Sequence, residues 1–141
     1  MKTAVFTGTF DPFTEGHLDV ARRAAKIFDK LYVVVFINHD KTPMFSVGER
    51  MEKIRQMTKD IDNVEVSSYN KYVVEFCAEF KVDYIVRGIR SDSDYVYESE
   101  MAAYNFSHGG YETVYFAAPE SLREVSSTKE RQKIAKCDTK D

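Results

Sequence analysis

Two β-branched and aromatic runs, residues 2–7 around the apolar Ala4-Val5-Phe6 and residues 31–37, flank a segment whose apolar positions Leu18, Ala21, Ala25 and Phe28 recur at helical spacing. Continuous β-branched and aromatic runs suit strands covered on both faces, where alternation would bury polar side chains. Strand, helix and strand make a βαβ unit, and therefore a parallel sheet. The alternation continues down the chain. Ser46-x-x-Glu49 is a capping box opening a helix through Met51, Ile54 and Met57, and Val64, Glu65 and Val66 form a short strand. Residues 72–80 suit a helix, 83–87 a buried strand, about 93–107 a helix, 108–110 a turn and 113–117 a last strand. Ser127-Thr128-Lys129-Glu130 gives a second capping box, before a helix carrying Ile134. This pattern predicts a doubly wound α/β fold on a five-stranded parallel sheet, with ligands beyond the carboxyl ends of the strands where strand order switches.

No repeat, linker or low-complexity segment interrupts the 141 residues, so one domain over 1–141 is expected, with 43% hydrophobic residues to fill its core. Twenty basic and twenty-three acidic residues leave a net charge of −3, which gives no general field for nucleic acid or an anionic membrane. Any anion site must be local. The run 31–37 is far too short to cross a bilayer, and Met1-Lys2-Thr3 enters a strand without the layout of a signal peptide, so a cytosolic protein is expected. Cys77 sits in an apolar helical pattern and Cys137 near a polar tail, without metal-site spacing, and neither a disulfide nor a zinc site is expected.

The local anion site is placed by four stretches that each follow a predicted strand. These are Gly8-Thr9-Phe10-Asp11-Pro12-Phe13-Thr14-Glu15-Gly16-His17, then Lys41, then Arg87-Gly88-Ile89-Arg90, then the segment leading to Ser126-Ser127-Thr128. In a parallel sheet they share one rim. The rim offers an imidazole, an ammonium, two guanidiniums, hydroxyls and two helix N-termini, with few carboxylates and no nucleophile–base pair. Such a set suits a polyphosphate, whose transferring phosphorus and leaving group would be stabilised by positioning and electrostatics. Plainer roles exist for each residue. His17 or Ser126–Thr128 could simply cap helices, Lys41 could be a solvated charge, and Arg87 and Arg90 could pair with Asp83, Asp92 or Asp94. Tyr95, Tyr97 and Tyr104 suit packing or subunit contact, and His39 and His108 are given no role.

The opening turn, with Thr14 in place of the first histidine of an H-x-G-H motif, resembles the signature of the nucleotidyltransferase superfamily and its Rossmann-like fold. Lys41-Thr42-Pro43-Met44-Phe45, Arg87–Arg90 with Asp94-Tyr95-Val96-Tyr97-Glu98, and Val125–Thr128 resemble, in order and spacing, the phosphopantetheine adenylyltransferases of bacterial coenzyme A synthesis. The resemblance covers nearly the whole chain. It implies adenylyl transfer from ATP, with Mg²⁺, to 4′-phosphopantetheine, giving dephospho-coenzyme A and pyrophosphate, with coenzyme A as a product-like ligand. It implies catalytic roles for His17, Lys41 and Arg90. ATP would be framed by Thr9, Phe10, His17, Gly88, Ile89, Arg90, Glu98, Leu122, Arg123, Glu124, Val125, Ser126, Ser127 and Thr128. The acceptor would meet Thr9, Lys41, Tyr72, Val73, Arg87 and Asn105. No protein metal ligand is assigned, and a homo-oligomer, typically a hexamer, is implied.

Three features depart from the family pattern. Thr7 stands where proline is frequent, the stretch from Pro119 to Val125 lacks an aromatic often found there, and the sequence stops at residues 136–141 where members commonly continue. Two other readings remain open at this level: a related nucleotidyltransferase using CTP or nicotinate mononucleotide, and a non-catalytic module binding a nucleotide or coenzyme A.

Overall fold

The computed structural model describes residues 1–138, with side chains to residue 136; the Cys137 side chain therefore lies outside the described ones. Five strands, β1 (Thr3–Gly8), β2 (Lys30–Phe36), β3 (Val64–Tyr69), β4 (Tyr84–Ile89) and β5 (Glu112–Ala117), pair in parallel in the order β3-β2-β1-β4-β5. The chain builds outward from β1 to β3, then returns to lay β4 on the other side of β1. The switch point thus falls between β1 and β4, as the alternation predicts.

The helices are α1 (Glu15–Ile27), α2 (Val47–Met57), α3 (Val73–Phe80), α4 (Asp92–Gly109) and α5 (Ser127–Asp138). Ala4 and Phe6 of β1 pack with Val20, Ala21 and Ala24 of α1 and Ile54 of α2. Val5, between them in sequence, joins Tyr32, Val34, Ile85 and the α3 residues Phe76 and Cys77 on the opposite face. Both sides of the central strands are therefore dry, which is why their sequences run apolar without alternation. Cys77 is fully buried, and burial pushes its thiol up to about 12, so it acts as a small core hydrophobe. Among the described residues no helix is long and apolar enough to cross a membrane.

The structure extends or corrects several expected boundaries. β3 continues through Ser67, Ser68 and Tyr69, as befits an edge strand whose outer positions need not be apolar. The turn expected at 108–110 narrows to Gly110, at φ 75°, because α4 runs on to Gly109 with His108 stacked on Tyr104 at 3.8 Å. The second capping box expected at Ser127–Glu130 gives way to a simple cap one residue earlier: the Lys129 N–H donates to Ser126 Oγ at 3.1 Å, while the Ser127 hydroxyl donates to the Pro12 carbonyl at 2.7 Å. A short 3₁₀ turn (Glu120–Leu122) precedes it.

Candidate active site

At the end of β1 the backbone turns so tightly that a Cβ on Gly8 would stand 2.8 Å from the Phe10 ring. Phe10 itself adopts φ 52°, a left-handed conformation rarely taken by a bulky residue. Its buried ring lies 5.2 Å from Phe13 and 5.0 Å from His17. Thr14 then starts α1 in a reciprocal cap: the His17 N–H donates to Thr14 Oγ1 at 3.3 Å, and the Thr14 N–H donates to His17 Nδ1 at 2.9 Å. Histidine here fills the place that glutamate or glutamine takes in the usual capping box.

This cap decides the chemistry of the imidazole. Since Nδ1 accepts, the ring proton of the neutral form sits on Nε2. The ring also stacks on Phe13 at 5.3 Å and keeps an edge open to the cavity it lines. Burial, then the charges of Arg87 and Arg90, push His17 down to about 3. His17 is thus a neutral donor at working pH. The sign of the linkage follows, because a folded pKa of about 3 lies below the ordinary 6.5. The unfolded chain binds the extra proton, so the stabilising contribution is complete above about pH 6.5 and is lost as pH falls towards 3. Unfolding of wild type and His17→Asn between pH 7 and 4 checks this. Wild type is expected to lose more stability over that interval, and parallel curves would contradict the shift.

Around His17 lies a cavity of about 470 Å³ at the carboxyl ends of β1, β4 and β5. Arg87 donates from Nε and Nη2 to the two oxygens of Glu98, at 2.9 and 2.6 Å, and from Nη1 to the carbonyl and, at 3.2 Å, the hydroxyl of Thr7. Arg90 pairs with Asp94 at 3.4 Å and donates to the Val125 carbonyl at 3.3 Å. Asp11 accepts from the Met44 and Phe45 N–H groups, both at 2.9 Å. The carboxylates lining the cavity are therefore all engaged by cations or backbone donors. What remains open is a set of donors: the His17 edge, the Lys41 ammonium, the α1 and α5 N-termini and the hydroxyls of Thr9 and Thr128. Such a lining favours a polyanion.

Most residues named from sequence converge here. Thr9, Phe10, His17, Lys41, Arg87, Gly88, Ile89, Arg90, Glu98, Leu122, Val125, Ser126, Ser127 and Thr128 all line this cavity. Tyr72 and Val73 line an adjoining groove of about 660 Å³, which shares Thr9, Lys41 and Arg87 with the cavity. Three residues are not brought in. Arg123 turns to donate to the Arg90 carbonyl at 3.0 Å, Glu124 pairs with Lys129 at 2.5 Å in solvent, and Asn105 lines a small space of about 10 Å³ beneath α4, behind the Arg87 and Glu98 pair that it shares with the cavity. Asp83, considered as an arginine partner, accepts instead from the Thr3 N–H and hydroxyl.

Sequence reasoning missed the braces of the site. Arg50 donates to the Thr9 carbonyl at 3.0 Å and Arg131 to the Asp11 carbonyl at 2.7 Å, and Thr7 holds Arg87. Arg50 is 4% exposed, yet its place on an amphipathic helix reads as surface. Only the fold reveals such contacts, since each joins residues about 40 or more positions apart.

The cytidylyltransferase-like family model matches residues 5–133. A phosphopantetheine adenylyltransferase of Clostridium botulinum (strain Alaska E43 / Type E3) is 41% identical over 140 residues, 97% of this chain and 88% of that protein. One from Clostridium beijerinckii is 47% identical over 105 residues, 74% of this chain and 66% of that protein. Among solved structures, a bifunctional NMN adenylyltransferase/ADP ribose pyrophosphatase from Francisella tularensis superposes with a TM-score of 0.69 at 21% identity. That match covers 94% of this chain and 41% of that one, and shows the shared fold. With family model, sequence relatives and sheet order in agreement, the chain belongs to the cytidylyltransferase-like family, among its phosphopantetheine adenylyltransferases.

Proposed function

We propose that the chain transfers the adenylyl group of ATP to 4′-phosphopantetheine, releasing pyrophosphate and dephospho-coenzyme A. An acceptor phosphate oxygen attacks the α-phosphorus in line, the bond to the β-phosphate bridge breaks, and pyrophosphate leaves with its electron pair. No covalent enzyme intermediate forms. The observation that carries this reading is the donor-lined cavity, with its carboxylates engaged and a neutral His17 at its edge. Nothing in it is arranged as an activated nucleophile, whereas charge developing on phosphorus would meet preorganised donors.

In this reading Thr9 and His17 contact the phosphates at the reacting centre, Lys41 and Arg87 take the incoming phosphate, and Arg90 holds the phosphates of ATP. The groove past Tyr72 and Val73 gives an extended acceptor arm a place next to its own phosphate site. Coenzyme A, which carries both halves, would span cavity and groove. Mg²⁺ would enter on the ATP phosphates and neutralise their charge. The exposed apolar side chains of Tyr95, Val96, Tyr104 and Phe106 on α4 support a homo-oligomer, hexameric by resemblance; a cytoplasmic location belongs to the same proposal and rests on the resemblance alone.

Pyrophosphate release across a panel of nucleotides and acceptors tests the reading. ATP with 4′-phosphopantetheine is expected to be the productive pair. Faster turnover of CTP or nicotinate mononucleotide would reassign the substrate, and tight coenzyme A binding with no turnover would make the chain a binding module.

A further inference from the structure

We infer that Asp11 is a positioning residue that sets the loop carrying Lys41. The inference rests on the proposed role of Lys41 at the acceptor phosphate. Asp11 is 5% exposed, and its two carboxylate oxygens are taken by consecutive peptide N–H groups, Met44 on Oδ2 and Phe45 on Oδ1, each at 2.9 Å. These are charge-assisted bonds from the opening turn to a segment 33 and 34 residues further on. On its other side the loop is pinned by Asn38. The Asn38 carbonyl accepts from the Lys41 N–H at 3.2 Å, and its side-chain oxygen from the Asp40 N–H at 3.0 Å. Lys41 is thus held between two anchors, with only Thr42 and Pro43 separating it from the second.

The anchor is itself fixed. The carbonyls of the same turn accept from side chains of two other elements, α2 and α5: Thr9 from Arg50, at 3.0 Å, Asp11 from Arg131 and Pro12 from Ser127, both at 2.7 Å. A carboxylate on a braced turn is a reference point, and a loop tied to it presents its ammonium at a set place. Without the carboxylate the two N–H groups lose their shared partner, and Lys41 is held at one end only. The chain then keeps its ammonium but spends ordering entropy on each encounter with the acceptor. Asp11 itself need touch no substrate, so its effect runs through Lys41.

A double-mutant cycle on the full chain reads this directly. Asp11→Asn keeps the shape, retains one acceptor and turns an amide N–H₂ towards a backbone donor. It is expected to lower kcat/KM for 4′-phosphopantetheine roughly 10-fold or more while changing the Kd for ATP by less than about threefold. In the Lys41→Ala background the same substitution is expected to cost less than about twofold. Hydrogen exchange at Met44 and Phe45 is expected to speed up, with β1 and β2 unchanged. If Asp11→Asn does not fold, Asp11→Ser, with one short acceptor, goes through the same cycle. Equal losses in both backgrounds, or ATP affinity falling with acceptor use, would overturn the inference while leaving Lys41 in place. A silent Lys41→Ala would remove the role of Lys41 and this inference with it.

Discussion

Replacing His17 by alanine is expected to lower kcat by about 100-fold or more with the fold intact. The imidazole is locked by its cap: Nδ1 accepts the Thr14 N–H at 2.9 Å, which orients the ring and leaves Nε2 as the donor towards the cavity. Held down to about 3, the ring stays neutral at neutral pH, so Nδ1 keeps its lone pair for the Thr14 N–H and the ring proton stays on Nε2. Its donor is fixed before substrate arrives, so its stabilisation is not spent on reorganisation. Alanine keeps the residue-17 N–H on Thr14 Oγ1 but removes the reciprocal acceptor of the Thr14 N–H, which costs about 1 kcal/mol of stability, and the two losses must be separated. His17→Asn does so, because its side-chain oxygen can still accept the Thr14 N–H. Equally low turnover with stability nearer wild type is expected, and near-normal kcat in either variant would contradict the role.

The second large effect concerns Arg87. Its guanidinium is 22% exposed and its partner carboxylate on Glu98 only 8%. Taking away one member of a buried pair leaves the other charge without compensation, which costs about 3–5 kcal/mol, whereas replacing both by apolar groups is often close to neutral. Arg87→Met is therefore expected to destabilise by about 3 kcal/mol or more in chemical denaturation, because Glu98 stays buried and unpaired. Adding Glu98→Leu is expected to restore most of that stability and none of the activity. Recovery of turnover in the double variant would show that Arg87 serves only to neutralise Glu98.

The strand-helix alternation and the rim were legible because each rests on local pattern: apolar runs for dry strands, and polar or glycine-bearing stretches just after them. Even His17 was legible as either cap or donor, and the structure makes it both, since its two ring nitrogens face different ways. What escaped were contacts set by strand order. Glu98 reads as a nucleotide contact by resemblance, but both its oxygens are occupied by Arg87, eleven residues back on β4. Arg90 and Asp94 pair at helical spacing and could be read from sequence, while no spacing rule links Thr7 to Arg87, eighty positions away. Ser127 shows the same limit at short range: its motif suggested a cap, and its hydroxyl is drawn off by the Pro12 carbonyl. Local rules state what a residue can do, and the tertiary contact decides which option wins.

The central claim, a single direct displacement with no enzyme-bound adenylyl group, is tested most directly by stereochemistry at phosphorus. ATP made chiral at the α-phosphorus by sulfur substitution is turned over with 4′-phosphopantetheine, and the configuration of the product phosphorothioate is read by phosphorus NMR. One in-line attack predicts inversion. Retention would require two displacements and a covalent intermediate, and would contradict the account.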